Sequence, residues 1–372
     1  MMTDYFSLLI IIFAIGYILL ALFNAIGESL GRPRPLPSVL PRVSAVVCAR
    51  NEERNVQRCI ESLLLLDYPR EKIEINVVDD ESEDRTLEIF HEYAARDDRV
   101  RVHSTAGMSH EVLGKQRPLN LGISCSTGEI VLITDADCAV DPGWVKAHLA
   151  AYHKNIGIAG GVTRVDVQGG GLYARVQSSD LIFLISIAMG CAGWGIPVTI
   201  MGNNISFRRD AYEAVGGFNN MKPRIVEDMA LMNAITRQTS YRLGWAVGKK
   251  GVAVSVPESK FNTFIEQRRR WLNEVGDMPF IGKFMLGYGA LMHLNFFAAL
   301  FLTPHTFLPL LLTSVAWYMG LIIVLSKNPG AKFRDIVFIP LMILFQIMYC
   351  TAIIFKNIFQ HKQVKWKGRE YH

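Results

Sequence analysis

Short apolar runs alternate with helical periods from residue 43 to about 275, and longer uncharged apolar runs occupy the two ends of the chain. Val43–Cys48 reads as a strand. Glu52–Leu66 reads as a helix, because Val56, Cys59, Ile60, Leu63 and Leu64 fall on one face. Ile73–Val78 and Ile130–Thr134 read as further strands, the second apolar throughout, as a strand covered on both faces must be. Asp84–Ala95 and Met229–Thr236 carry helical periodicity. This alternation predicts an α/β domain, and no internal repeat interrupts it.

The ends obey a different pattern. Phe6–Ile26 is uncharged and long enough to cross a bilayer. No Lys or Arg precedes it and Asp4 does, so it lacks the basic start of a cleaved signal peptide. Arg32, Arg34 and Arg42 follow, which places the next segment in the cytoplasm. Residues 1–30 are therefore expected to be a retained signal anchor, and the Pro-rich residues 31–42 a stiff linker. Residues 43–282 form the expected cytosolic domain.

Beyond Gly282 come three apolar runs, Phe284–Leu302, Phe307–Leu325 and Ile336–Phe355. Lys327, Lys332 and Arg334 predict a cytoplasmic loop between the last two. Three spans would leave the basic tail (357–372) outside, against the positive-inside tendency. Two spans result if Phe284–Leu302, with His293 and Asn295 inside it, is interfacial or re-entrant. Both counts stay open for the region 283–356, and either gives a multi-pass protein of the cell (inner) membrane. Leu181–Ile187 is apolar on all sides but shorter than a span. It reads as a buried core helix or as a segment on the membrane face.

Composition agrees with this mixed character. The 372 residues are 50% hydrophobic with net charge +5, and mean hydropathy is +0.22. That is too apolar for an ordinary soluble protein and too charged for one wholly within a membrane. No basic stripe of the kind a nucleic-acid groove needs is present. The six cysteines show no CxxC spacing and read as small buried hydrophobes in a reducing compartment.

Acids gather where strands end. Asp135-Ala136-Asp137 follows Ile130–Thr134, and in an extended segment residues two apart face one side. Two hard oxygen donors at a strand's carboxyl end suit Mg²⁺ or Mn²⁺ bridging a diphosphate. Asp79-Asp80-Glu81-Ser82-Glu83-Asp84 follows Ile73–Val78. Helix capping accounts for Ser82 or Asp84 but not for Asp79 and Asp80. Asn51-Glu52 ends the first strand in the same way. Glu227-Asp228 begins a helical stretch, either as acids favoured at a helix N-terminus or as a general base. Finally, Gln267-Arg268-Arg269-Arg270-Trp271 stands where the domain meets the apolar C-terminal region.

Taken in order, these residues resemble the membrane-integrated, inverting family 2 glycosyltransferases of GT-A fold. The matching series starts with Ala49-Arg50-Asn51-Glu52 and runs through Val78 to Thr86, Gly114-Lys115 and Leu119-Asn120. It continues through Thr134 to Asp137, Gly202-Asn203-Asn204, Phe207-Arg208-Arg209 and Gly216-Gly217-Phe218. Glu227-Asp228 and Gln267…Arg270-Trp271 complete it. The resemblance implies a GT-A domain in which Glu52 and Asp80, with Asp79 beside them, hold the nucleoside of a UDP- or GDP-sugar. It implies that Asp135 and Asp137 hold the Mg²⁺ or Mn²⁺ and the sugar-diphosphate, with Asp137 as the principal metal ligand. Lys115 would be a donor-site cation, and Gln267 and Arg270 would stabilise charge on the departing nucleoside diphosphate. Asp228 would be the base, with Glu227 and Trp271 at the acceptor. Gln116-Arg117-Pro118 departs from the family's usual helix after the lysine by being more polar and stiffer.

Few spans are available to build a pore for a growing polymer. The expectation is therefore transfer of one sugar to a membrane-embedded, lipid-like acceptor: a glycolipid, a polyprenyl phosphate or a hydroxylated isoprenoid such as a carotenoid. A processive polysaccharide synthase is the alternative, and a non-catalytic membrane protein that binds nucleotide sugars is a second one.

Overall fold

Residues 2–31, 33–108, 114–153, 155–221, 226–302, 307–326, 328–359, 364–366 and 369–371 are described by the structure, a computed structural model; side chains are not described at 2–4, 273, 274, 300, 302, 307 or beyond 356. Lys327 and the basic tail thus lie outside the described side chains.

The longer strands are rich in Val and Ile, which suit a pleated, covered surface. The strands are β1 (Val43–Ala49), β2 (Ile73–Asp79), β3 (Val100–Ser104), β4 (Ile130–Asp135) and β5 (Cys138–Val140). Then follow β6 (Ile156–Gly160), β7 (Val162–Val165), β8 (Asn204–Arg208), β9 (Arg242–Trp245) and β10 (Val252–Ser255). Seven of them build one sheet in the order β3-β2-β1-β4-β8-β6-β9. β3, β2, β1 and β4 are parallel, and β8 pairs antiparallel to both β4 and β6. All of β2 and all but one residue of β1 are buried, so both faces are covered, and the polar Ser44 of β1 donates to Glu74 Oε1 of β2 at 2.6 Å. A smaller sheet, β5-β10-β7, abuts the first. Asn204 ties the two together. Its Oδ1 accepts from Trp144 Nε1 and His148 Nε2, both at 2.8 Å, and its Nδ2 donates to the carbonyls of Val162 and Gly251.

The helices are α1 (Met2–Leu30), α2 (Val56–Leu64), α3 (Thr86–Arg96), α4 (Gln116–Ser124), α5 (Trp144–Leu149), α6 (Gly171–Gly193) and α7 (Arg209–Ala214). The C-terminal half adds α8 (Glu227–Gln238), α9 (Phe261–Leu272), α10 (Phe280–Leu302), α11 (Phe307–Ser326), α12 (Phe333–Val337) and α13 (Ile339–Phe359). The expected helix over 52–66 begins only at Val56. The chain first makes a tight turn with Asn51 at φ 54°, and the Glu52 carbonyl accepts from the backbone of Asn55 and Val56. That turn brings Glu52 back over the sheet edge.

Two further expectations need correction. Leu181–Ile187 is not a short segment but the centre of the 23-residue helix α6, because Gln177, Ser178, Ser179 and Asp180 are helical and buried alongside it. Gln177, Ser179 and Asp180, which interrupt the apolar pattern, find partners inside the fold, so periodicity alone did not show the helix's length. Asp135 and Asp137, moreover, do not share one extended segment. β4 ends at Asp135, and the chain turns through Ala136-Asp137 to start β5 in the other sheet.

Among the described residues, four helices are long and apolar enough to cross a membrane: Tyr5–Leu30, Gly171–Gly193, Leu308–Ser326 and Ile339–Lys356. α10 is one continuous helix but is not among these four. α1 packs along α6, α10 and α11. Asn24 Nδ2 donates to the Ser186 carbonyl at 3.0 Å, and the Trp194 and Phe23 rings stack at 5.0 Å. α6 is largely buried because it is wrapped by α1, α13 and β7.

Candidate active site

The parallel register brings the strand-end acids level. Ala49 lies opposite Asp79 and Cys48 opposite Asp135, so Asp79 and Asp135 flank β1 at the same carboxyl edge. This is where open α/β sheets bind ligands. The loops after β1 and β2 are laced together: Asn51 N donates to Ser82 Oγ at 3.0 Å, Glu83 N to Asn51 Oδ1 at 2.8 Å and Glu53 N to Asp84 Oδ2 at 3.1 Å. Ser82 and Asp84 thus brace the loops rather than serving as helix caps alone. Glu52 is fixed between Thr86 Oγ1, which accepts from its N–H at 2.8 Å, and Asn55 Nδ2, which donates to its Oε2 at 2.8 Å.

Asp79 and Asp80 are both buried. Arg117 donates to Asp80 Oδ1 at 2.6 Å, and Thr105 Oγ1 donates to the same oxygen at 2.9 Å. Arg117 also pairs with Glu81 at 3.1 Å. The arginine that breaks the family's usual pattern therefore orients an acid of that edge. Composition hinted at this; only the fold supplied the partner. Asp79 Oδ1 and both ends of the wholly buried Gln116 amide have no hydrogen-bond partner among the described residues. Buried polar atoms without partners are rare, and a cluster of them at a sheet edge fits a polar ligand.

Lys115 sits just before α4 and joins the other two acid groups. Its Nζ is paired with Asp135 and lies 3.3 Å from Glu227 Oε1. Burial disfavours the charged amine, but the carboxylates of Asp135 and Glu227 outweigh it and hold the pKa well above its ordinary value. Asp228 begins α8 beside them. Its Oδ2 accepts from the Gly202 N–H, and its Oδ1 from the Met229 N–H at 2.7 Å. Burial, then the neighbouring Glu227 carboxylate, push its pKa up to about 7, against the pull of Lys115 and the two N–H donors. Glu227-Asp228 is thus the helix N-terminus that the sequence allowed.

α9 closes the cleft. Burial depresses the Arg270 guanidinium, whereas the nearby carboxylates of Glu227, Asp135, Asp228 and Glu258 favour its charge. Gln267 Nε2 donates to Glu258 Oε1 at 3.2 Å, and Trp271 packs on the core beneath α8. Asp137 stands slightly apart. Its Oδ1 accepts from Cys138 Sγ at 3.2 Å and its Oδ2 from Ser255 Oγ at 3.4 Å. Arg58, not anticipated from the sequence, donates to the Asp137 carbonyl at 2.6 Å and so fixes the turn. All six cysteines are free.

No group of three or more His, Cys, Asp or Glu side chains is arranged around one point among the described residues. A cage supplied by protein alone is therefore absent from them. Carboxylates from the Asp135–Asp137 turn still fit a hard divalent ion of the kind that completes its shell with substrate phosphates and water.

Residues 44–216 match the family model described as Glycosyl transferase family 2. Those residues form a family 2 glycosyltransferase domain. The chain is 26% identical over 226 residues to a β-monoglucosyldiacylglycerol synthase of Trichormus variabilis, covering 59% of this chain and 47% of that one. It is 28% identical over 193 residues to a poly-β-1,6-N-acetyl-D-glucosamine synthase of Staphylococcus epidermidis, covering 51% and 44%. The chain thus spans about half the length of these curated relatives. Its fold is similar to that of the mannosyltransferase PcManGT from Pyrobaculum calidifontis, solved with GDP-Man and Mn²⁺. TM-score is 0.58 at 18% identity, over 97% of this chain and 100% of that one. The domain has the GT-A fold, as the order of motifs implied.

Proposed function

We propose that this family 2 glycosyltransferase moves a single sugar, with inversion, from a UDP- or GDP-sugar to a lipid-like acceptor held in the membrane. One observation carries the reading: Asp228, raised to about 7, lies beside Lys115, Glu227 and Arg270 at the sheet edge where Asp79, Asp80 and Asp135 converge. A carboxylate with that pKa is matched to removing a hydroxyl proton near neutral pH.

In this mechanism Glu52, Asp79 and Asp80 hold the nucleoside, and Arg117 keeps Asp80 oriented. Asp137, with Asp135, would hold Mg²⁺ or Mn²⁺ against the diphosphate, and that ion would supply charge neutralisation. Asp228 accepts the acceptor's hydroxyl proton as its oxygen bonds to the anomeric carbon. The bond from that carbon to the diphosphate oxygen breaks on the opposite face, so one displacement inverts the centre. Lys115, Arg270 and Gln267 stabilise the departing diphosphate. Glu227 and Trp271 face the acceptor, the indole offering an apolar surface.

Apolar helices on either side of the domain support a membrane acceptor, and the glucosyldiacylglycerol synthase relative points the same way. We read residues 43–282 as the catalytic domain, on the cytoplasmic side of a multi-pass cell-membrane protein. The polysaccharide synthase relative favours processive synthesis as a second reading. A panel of radiolabelled nucleotide sugars, given to membranes containing the protein with Mg²⁺ or Mn²⁺, separates the two. Label in a lipid fraction supports the first reading, label in polymer the second, and label in neither overturns both.

A further inference from the structure

α9 carries Gln267, Arg270 and Trp271, and it hangs on α6 through a buried ion pair. Arg268 is only 5% exposed. Its Nη2 donates to Asp180 Oδ2 at 2.6 Å, in the middle of α6. Asp180 is wholly buried and also accepts from Gln346 Nε2 at 2.9 Å and Tyr349 OH at 3.1 Å, both on α13. The Arg268 guanidinium lies between two rings of its own helix, 4.4 Å from the Phe264 centroid and 4.2 Å from that of Trp271. Its Nη1 reaches Gln267 Oε1 at 3.4 Å. One buried cation therefore touches both ends of the Gln267…Trp271 motif.

A buried ion pair is a poor way to gain stability, since apolar residues of equal volume often do as well. A planar guanidinium with one edge hydrogen-bonded and one face on an indole is, however, a good way to fix a ring's direction. Resting on the reading of Trp271 as the acceptor platform, we propose that Asp180 and Arg268 are positioning residues: Asp180, acting through Arg268, sets the Trp271 indole against the acceptor. The helices α6 and α13 thereby orient the catalytic helix. Arg270 lies among the carboxylates of the cleft and Arg268 meets Asp180 of α6, so two arginines of one motif, two positions apart, perform different tasks.

The test uses the full chain in phospholipid vesicles doped with diacylglycerol in one arm and polyprenyl phosphate in the other. Arg268→Lys keeps a cation beside Asp180 but removes the planar stack on Trp271. It is expected to raise the acceptor KM about tenfold, the scale of one desolvated cation–π contact, and to leave the KM for the nucleotide sugar unchanged. Trp271 emission, taken as the difference between each protein and its Trp271→Phe counterpart, should shift. Asp180→Asn should move both readouts in the same direction. The proposal is overturned if both variants keep wild-type acceptor KM and Trp271 emission while only Tm falls, or if the donor KM rises equally. Should Asp180→Asn fail to fold, Arg268→Lys decides alone. Should the wild type glycosylate neither lipid, the acceptor reading is what fails, and the emission arm still decides the positioning: an unmoved Trp271 refutes it.

Discussion

Asp180 and Asp228 are two carboxylates set among apolar neighbours, and the protein treats them in opposite ways. Asp180 is ringed by three side-chain donors, one of them the Arg268 guanidinium, so its charge is answered locally. Asp228 receives two backbone N–H groups, while Glu227 crowds it with a like charge and Lys115 is paired with Asp135 and Glu227. Full compensation makes the first a structural pivot. Incomplete compensation pushes the pKa of the second up to about 7.

This contrast breaks most readily at Asp228. Asp228→Asn should lower turnover about a thousandfold, within the range for loss of a general base, while calorimetry finds donor binding unchanged. Retention of full turnover would remove the base assignment. Asp180→Asn reverses the outcome: it strips a buried arginine of its partner, and should reduce unfolding free energy by about 3 kcal/mol. Asp228→Asn, which relieves repulsion from Glu227, should leave stability equal or higher, as thermal unfolding of the full chain would register.

Smaller changes sharpen the comparison. A methyl group on Gly202 would stand 2.8 Å from Asp228 Oδ2, so Gly202→Ala must displace the proposed base. A loss of about tenfold in kcat is expected from such misplacement, with donor KM constant. The pH profile follows from the direction of the shift. As the proposed base, Asp228 would work only deprotonated, and its pKa is raised to about 7, so turnover should fall as pH drops through about 7 rather than near 4. Glu227→Gln removes a charge that raises Asp228, and should move that acidic limb to lower pH. An acidic limb that does not move would show that burial alone sets the shift.

Much of this was legible along the chain. Strand-end acids announce themselves because a parallel sheet must place every strand's carboxyl end on one side, so Glu52, Asp79, Asp80 and Asp135 could be gathered before any coordinates. Asp137 could be gathered too, although by the wrong route: it reaches the edge through a turn into a second sheet. Arg117, Thr105 and Arg58 could not, because a side chain's partner depends on which loops meet in space. Arg117 stood out as an odd residue beside Lys115, yet nothing local joined it to Asp80 some forty positions back. The length of α6 was hidden for the same reason, since Asp180 breaks an apolar pattern only until Arg268, Gln346 and Tyr349 surround it.

The sequence by itself determined the α/β core, the apolar ends and the identity of the motif residues, because periodicity and residue type are local properties. Only the tertiary structure decided which charges are answered and which are left exposed to one another. Lys115 between Asp135 and Glu227, and Arg268 between Asp180 and Trp271, are pairings across 20 to 112 positions and 3 to 88 positions respectively. Electrostatic compensation is set by distance through space, and sequence separation carries little information about it.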